Sequence, residues 1–213
     1  MNPARAGFAQ NRFLQILLGS YFLFWILLAL HPLNRGDWFL ENLLVFTTAL
    51  VLVPTYRKFQ LCNLSYALIV LFLTLHAVGA HYTYAKVPAG FWMADWFHLS
   101  RNHYDRVIHF GFGFLLLFPM RELMQRSAGA RGQWAAWLAL AALAALSGFF
   151  EILEAIIAQV LHSDLGTAYL GTQGDMWDAQ KDMASAFLGA FIVALWLTFA
   201  HKRAAPGRLA SNR

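Results

Sequence analysis

The chain is built from apolar runs, each about long enough to cross a bilayer. Roughly 20 predominantly apolar residues span a hydrocarbon layer. Six such runs occur: Arg12–Leu30, Trp38–Tyr56, Leu64–Ala80, Tyr104–Met120, Gln133–Leu161 and Asp178–Ala200. Only 13% of the 213 residues are charged, against about 25% in an ordinary soluble domain. The expected fold is all-α: one polytopic membrane domain over residues 1–213, a bundle of about six transmembrane helices. Basic tails lie at about 1–11 and 201–213. There is no internal repeat, and the single Cys62 excludes an intramolecular disulfide. Arg5 and Arg12 before the run Phe13–Leu30 imitate a signal peptide. That run exceeds an h-region of roughly 7–15 residues, and no A-x-A site follows, so it reads as an uncleaved first helix.

Lys and Arg set the expected orientation. Arg5, Arg12, Arg57, Lys58, Arg121, Arg126, Arg131, Lys202, Arg203, Arg208 and Arg213 fall on one side of the spans. The other side holds Arg35, Lys86, Arg101, Arg106 and Lys181. Eleven against five predicts both termini in the cytoplasm. The net charge of +5 is mostly this cytoplasmic excess. It fits contact with anionic lipid rather than nucleic acid.

The acids lie the other way. Of eleven, only Glu122 is then cytoplasmic. Asp37, Glu41, Asp95, Asp105, Glu151, Glu154, Asp164, Asp175, Asp178 and Asp182 face outward or sit in the outer half of the membrane. Carboxylates weigh little in topology, so insertion rules do not explain the asymmetry. At 1.5 Å per helical residue, His109 lies about 18 Å from Arg121, well inside the layer. Glu151 and Asp182 come out near the outer boundary, about 26 and 30 Å from Trp134 and Lys202. A water-filled vestibule opening outward reconciles these depths. Ionisable groups inside a membrane are costly and mark functional sites by default.

The loop between the third and fourth spans is long enough to carry structure of its own. Within it, VPAGFWMADWFHL places Phe91, Trp92, Met93, Trp96, Phe97 and Leu99 at loosely helical spacing, which predicts a short interfacial helix. The same segment read as a lid packed on the bundle would serve stability alone.

Asp105 and His109, four apart at the head of the fourth span, share a helix face. A carboxylate there can orient the imidazole or join it in holding a metal; the plain alternative is a capping Asp beside a satisfied core His. Glu151 and Glu154 point to nearly the same side of the fifth span, and close carboxylates repel unless a cation or proton intervenes. Asp175, Asp178 and Asp182 form a stripe at the head of the sixth. Below them Ala186, Ala190 and Ala194, with Gly189, suit a tight helix contact, either internal or between subunits of an oligomer. Candidate catalytic residues are Asp105, His109, Glu151, Asp178 and Asp182. Candidate metal ligands are His81, His103, His109, Glu151 and Asp182. Arg101, Arg106, Tyr104 and Gln173 are candidates for substrate binding, the guanidiniums for a phosphate. His31, His98, His162 and His201 read as interface residues, and His76 lies within the third span.

HExxH, GxSxG, P-loop and paired Glu-x-x-His patterns are absent. SRNHYDRVIH lacks the PSGH-type motif and spacing of membrane lipid phosphatases. The segments GAHYTYAKVPAGFWMADWFHLSRNHYDRVIHF, FFEILEAI and YLGTQGDMWDAQKDMASAFLGA together resemble the YjdF-like family of bacterial inner-membrane proteins. That resemblance implies a multi-pass protein of the bacterial inner (plasma) membrane and carries no activity with it. A weaker likeness joins Asp105-Arg106-x-x-His109, Glu151 and Asp178 with Asp182 and Gly189 to the VanZ-like superfamily, linked in some members to glycopeptide-antibiotic resistance. Arg106, Glu154 and Ser185 or Ala186 depart from the Lys, Gln and Asn usual there.

The reading that follows is an outward-opening His/Asp/Glu pocket that holds a divalent cation and acts on an envelope lipid or lipid-linked headgroup. His with carboxylates suits Zn, Mn or Fe. Two rivals use the same residues. One is a cation- or proton-coupled transporter. The other is a non-catalytic protein whose polar network fixes the bundle or binds a lipid or antibiotic.

Overall fold

A computed structural model describes residues 7–161, 166 and 169–204. Arg5, His162, Asp164, Arg208 and Arg213, and with them most of both basic tails, lie outside the described residues. Among the described residues a 3-10 turn, Phe8–Gln10, is followed by the helices α1 (Arg12–Leu30), α2 (Arg35–Thr55), α3 (Asn63–Tyr82), α4 (Pro88–Phe97), α5 (Tyr104–Ser127), α6 (Trp134–Leu161) and α7 (Asp178–Ala204). All but α4 are long and apolar enough to cross a membrane.

Several boundaries differ from the sequence expectation by one to seven residues, and two of these shifts have a visible local reason. α2 begins at Arg35 rather than Trp38 because the Asn34 side chain accepts hydrogen bonds from the Gly36 and Asp37 amides, at 2.9 and 3.2 Å. Asp37 therefore belongs to the first helical turn. α5 continues past Met120 to Ser127, through Pro119. Its polar last turn is held by Glu122 and Arg126, an i,i+4 ion pair at 3.2 Å. The expected short helix in the long loop is α4, started by Pro88 at its first position.

α5 is the central helix, packed against α3, α6 and α7; α1 and α2 pack on α3. The closest pair is α5 with α7. A Cβ on Gly113 would lie 1.8 Å from the Ala186 carbonyl oxygen, and one on Gly189 2.2 Å from that of Phe110. Only hydrogen fits at either place. Ala186, Ala190 and Ala194 are buried in the same seam, so the small-residue stripe is spent within the chain. Leu117, Ala136, Ala139, Leu140 and Leu143 complete this core. A second core gathers Val45, Phe72, Leu73, Val87, Tyr104 and Ile108 from α2, α3, the loop after α3, and α5.

The bundle has a basic end and an acidic end. At the basic end Glu122 of α5 reaches the start of α3. It accepts from the Cys62 amide at 3.1 and 3.0 Å and from the Ser65 hydroxyl at 2.6 Å. Cys62 gives α3 no side-chain cap of its own, so the carboxylate of another helix does that work at the positive helix end. Glu122→Ala should therefore lower stability by about 2 kcal/mol, leaving buried donors unpaired. Thermal unfolding in detergent checks this, with Glu122→Gln expected between the two.

Large apolar side chains on the outside, among them Phe22, Leu23, Leu50, Val53, Ile152 and Val160, face where lipid would lie. Exposed tryptophans ring both ends: Trp134 and Trp196 at the basic end, Trp92, Trp96 and Trp177 at the acidic end. This is the aromatic belt expected of a spanning bundle.

Candidate functional site

The acidic end is closed by a loop system built on Asn102. This side chain is 2% exposed. Its amide donates to the Val87 carbonyl at 2.9 Å and its oxygen accepts from the Tyr104 amide at 3.0 Å, which starts α5. A Cβ on Gly90 of α4 would strike it, so α4 sits directly against Asn102. Gln173 clamps the same residue from the loop before α7. Its oxygen accepts from the Asn102 amide at 3.2 Å and its nitrogen donates to the Asn102 carbonyl at 2.9 Å. Gln173 thus holds two loops together.

Arg101 and Arg106 brace α5 to α7. Arg101 donates to the Thr172 carbonyl and to Asp178. Arg106 pairs with Asp178 and Asp182, reaches Asp175 at 3.4 Å, and donates to the Asp178 carbonyl at 3.1 Å. Their Nη donors are engaged by carboxylates and carbonyls, so a phosphate at this point would have to displace one. Lys181 closes the network on Asp175 at 2.6 Å. That contact, the Trp177 amide and Arg101 hold the Asp175 carboxyl below its ordinary value of 3.8. A depressed carboxyl contributes stability above the ordinary value and loses it as pH falls through the lowered one. The stability difference between wild type and Asp175→Asn should therefore be constant from neutral pH to about pH 5, and shrink only below pH 3.8. Paired thermal melts across that range measure it; a difference already collapsing near pH 6 would contradict the assignment.

Beneath the brace lie Asp105, His109 and Asp182. Each offers a ligand atom, and these atoms lie within 4.8 Å of one another. His109 Nε2 is 3.5 Å from Asp105 Oδ1, and its Nδ1 is 3.6 Å from Glu151 Oε1. Both separations exceed a good hydrogen bond. The Glu151 Oε1 and Asp182 Oδ1 atoms are buried without a hydrogen-bond partner among the described residues. So Asp105, His109, Glu151 and Asp182 come together, with Asp178 one turn away and committed to the arginines.

Other candidates are placed elsewhere. His81 Nδ1 bonds the Leu28 carbonyl of α1 at 2.7 Å and its ring meets Tyr82. It tethers α3 to α1 and does not join the group. His103 precedes α5 without making a side-chain cap. Burial, and then the Arg101 and Arg106 charges, push its imidazole below 6.5. It too is outside the group of converging ligand atoms. The Tyr104 hydroxyl donates to the Leu75 carbonyl at 2.8 Å; it is a buried α5–α3 contact.

The structure adds residues the sequence did not assign. Thr83 and Tyr84 adopt left-handed backbone, φ 56° and 47°. This turns the Tyr84 ring back over Gly79, where a Cβ would lie 2.5 Å from it. The Tyr84 hydroxyl then meets His76 Nδ1, and His76 Nε2 bonds the Glu41 carbonyl at 3.0 Å. Burial, then the charges of Glu41, Asp105, Tyr104 and Glu154, push the Tyr84 hydroxyl well above 10.0. Glu41 and Asp37 lie on one buried face of α2. Asp37 and Glu41, four apart, carry the same spacing signal as Asp105 and His109 and could have been found by it.

The fold and the site define a polytopic α-helical membrane protein with a buried carboxylate–histidine cluster at one end of its bundle. Residues 13–203 match the family described as "Predicted membrane protein (DUF2238)", and the chain belongs to that family. It is 38% identical over 173 residues to the inner membrane protein YjdF of Escherichia coli (strain K12), covering 80% of this chain and 81% of that one. No solved structure matches. The chain is thus a YjdF-like, multi-pass inner-membrane protein.

Proposed function

We propose that Asp105, His109 and Asp182 bind a divalent cation on the outer side of the membrane, and that this centre acts on an envelope lipid or lipid-linked headgroup. The supporting observation is the convergence of three ligand atoms from α5 and α7 within 4.8 Å. One nitrogen with carboxylate oxygens suits Zn, Mn or Fe. Glu151, 3.6 Å from His109 with a buried oxygen that has no partner among the described residues, would serve as a fourth ligand or take a proton from bound water. The outer location follows from the excess of Lys and Arg at the other end. The exposed aromatic residues of α4 and Trp177 lie at the same end of the bundle as the cluster, which supports a site near the headgroups, where Trp is favoured.

One rival retains a specific observation. Arg101 and Arg106, tied to Asp175, Asp178 and Asp182, form a network that fixes α5 on α7 whether or not anything binds. A route through the bundle has less support, because Glu122, the acid of the basic end, is engaged with Cys62, Ser65 and Arg126. The test is chemical. Chelator-stripped protein, in nanodiscs of total envelope lipid, should alter the lipid mass spectrum only after Mn²⁺ or Zn²⁺ is returned, and not as His109→Ala. An unaltered spectrum with metal bound would leave a binding protein and overturn the enzymatic reading.

A further inference from the structure

The basic end of the bundle carries a cleft of its own. Two adjoining cavities, of about 670 and 380 Å³, share Gln10 and Gln60 as walls. Both volumes fall in the range of about 300–1,000 Å³ usual for ligand clefts. The larger lies between the 3-10 turn and the end of α2, at Tyr56 and Arg57. The smaller continues past the head of α1 to the start of α3, at Arg12, Cys62 and Asn63.

Contacts between segments far apart in sequence fix these walls. Asn11 donates to Asn63 Oδ1 at 2.7 Å, and its own oxygen accepts from the Leu14 amide at 3.1 Å. Gln15 donates to the Phe8 carbonyl at 2.8 Å, and the Phe8 ring meets Tyr56 edge-on, 6.0 Å between centroids. Gln60 donates to the Tyr56 hydroxyl at 2.7 Å. Arg126 lies 4.0 Å over the Phe59 ring and donates to the Gln60 carbonyl. The cleft is therefore formed in advance, which lowers the ordering cost of binding.

Its charge has one sign. Arg12 and Arg57 line it, and among the described residues no Asp or Glu does. Neither guanidinium has an ion pair or side-chain hydrogen bond among the described residues, unlike Arg101, Arg106 and Arg126. Glu122 is engaged with the Cys62 amide, Ser65 and Arg126. Arg12 opens α1, and Arg57 stands just beyond the end of α2. A bundle that spans a bilayer holds such positions near the headgroups. Beyond the cleft α1 exposes Phe13 and Ile16, and α2 exposes Leu50 and Val53, apolar surface that an acyl chain would cover.

We infer that this cleft binds a phosphate group through Arg12 and Arg57. A guanidinium presents paired donors that match phosphate oxygens. The phosphate belongs either to the headgroup of an acidic phospholipid or to a free phosphate ion. The site stands at the opposite end from the metal centre proposed above and does not depend on it. Diffuse attraction between basic loops and acidic lipid needs no cleft. Lys58 and Arg131 separate the two cases: both are exposed, as Arg12 and Arg57 are, and neither lines a cavity here.

The test uses full-length protein in detergent, with native mass spectrometry after addition of phosphatidylglycerol and calorimetric titration with inorganic phosphate. Wild type should retain one phosphatidylglycerol or bind one phosphate. Arg12→Gln with Arg57→Gln should weaken that binding by about tenfold or more. Lys58→Gln with Arg131→Gln, which removes the same charge, should bind nearly as wild type does. All four side chains are exposed, so both double variants should fold, and equal thermal melts check this. Retained lipid without a phosphate response identifies a headgroup as the source; a phosphate response without retained lipid identifies the free ion. A wild type that binds neither probe overturns the site, as does binding unchanged in the Arg12/Arg57 variant. Equal weakening in the two double variants also overturns it, by showing diffuse charge alone. Transition-metal content unchanged in the Arg12/Arg57 variant keeps this outcome separate from that of the metal centre.

Discussion

Gly113→Val should leave a chain that still inserts its helices but cannot hold α5 against α7. The new Cβ would stand 1.8 Å from the Ala186 carbonyl oxygen and 2.7 Å from the Ala190 amide nitrogen. Both obstacles are backbone, so no rotamer change relieves them. The loss should exceed the ~1–3 kcal/mol typical where side chains can shift. Gly189→Val should act alike, through the Phe110 carbonyl. Gly19, with nothing within 4 Å of its Cβ position, is the control, and Gly19→Ala should be near neutral. SDS titration followed by far-UV circular dichroism and tryptophan fluorescence would separate lost packing from lost helix. Equal stability of Gly113→Val and Gly19→Ala would contradict the described seam.

Arg106→Gln should be the second large effect. The guanidinium serves Asp175, Asp178 and Asp182 together, and it and its partners are mostly buried. Removing one side of a buried pair leaves charges without compensation, at a cost of about 3 kcal/mol or more. Arg106→Lys should rescue only in part, since a single ammonium cannot reproduce a planar fork across several carboxylates. Adding Asp178→Asn to Arg106→Gln should recover stability by removing one stranded charge. That recovery distinguishes electrostatic stranding from simple loss of side-chain packing, which the second substitution would not repair.

The spans were legible because membrane insertion is written in composition: about 20 apolar residues with few charges leave little choice. The short helix of the long loop was legible from the spacing of its bulky apolar residues. So was the α7 stripe of Ala186, Ala190 and Ala194, but not its partner. Gly113 lies in a run that reads simply as apolar, and only the crossing of two helices shows that a methyl group there is excluded. Asp105 and His109 were legible together because both stand on one helix. Their meeting with Asp182 depends on α5–α7 packing, which no local pattern encodes.

What the sequence hid lies in backbone conformation and long-range contact. Tyr84 reaches His76 because Thr83 and Tyr84 turn left-handed, an arrangement more typical of glycine. Asn102 has no periodicity to mark it, yet it joins α4, α5 and the loop before α7. His81 looked like a ligand by residue type alone, and its partner proved to be a carbonyl of α1. Glu122 was notable only as the lone acid among basic loops; its role at the start of α3 spans 60 residues of sequence.

The central claim is that the Asp105–His109–Asp182 group holds a cation. Elemental mass spectrometry on detergent-purified wild type, beside His109→Ala and a His109→Ala/Asp182→Ala double variant, tests it most directly. The account predicts about one transition-metal ion per wild-type chain, reduced in the single variant and absent in the double, with all three proteins eluting as the same folded species. A wild-type protein that is folded and metal-free even after incubation with Mn²⁺ and Zn²⁺, or metal retained in the double variant, would contradict it.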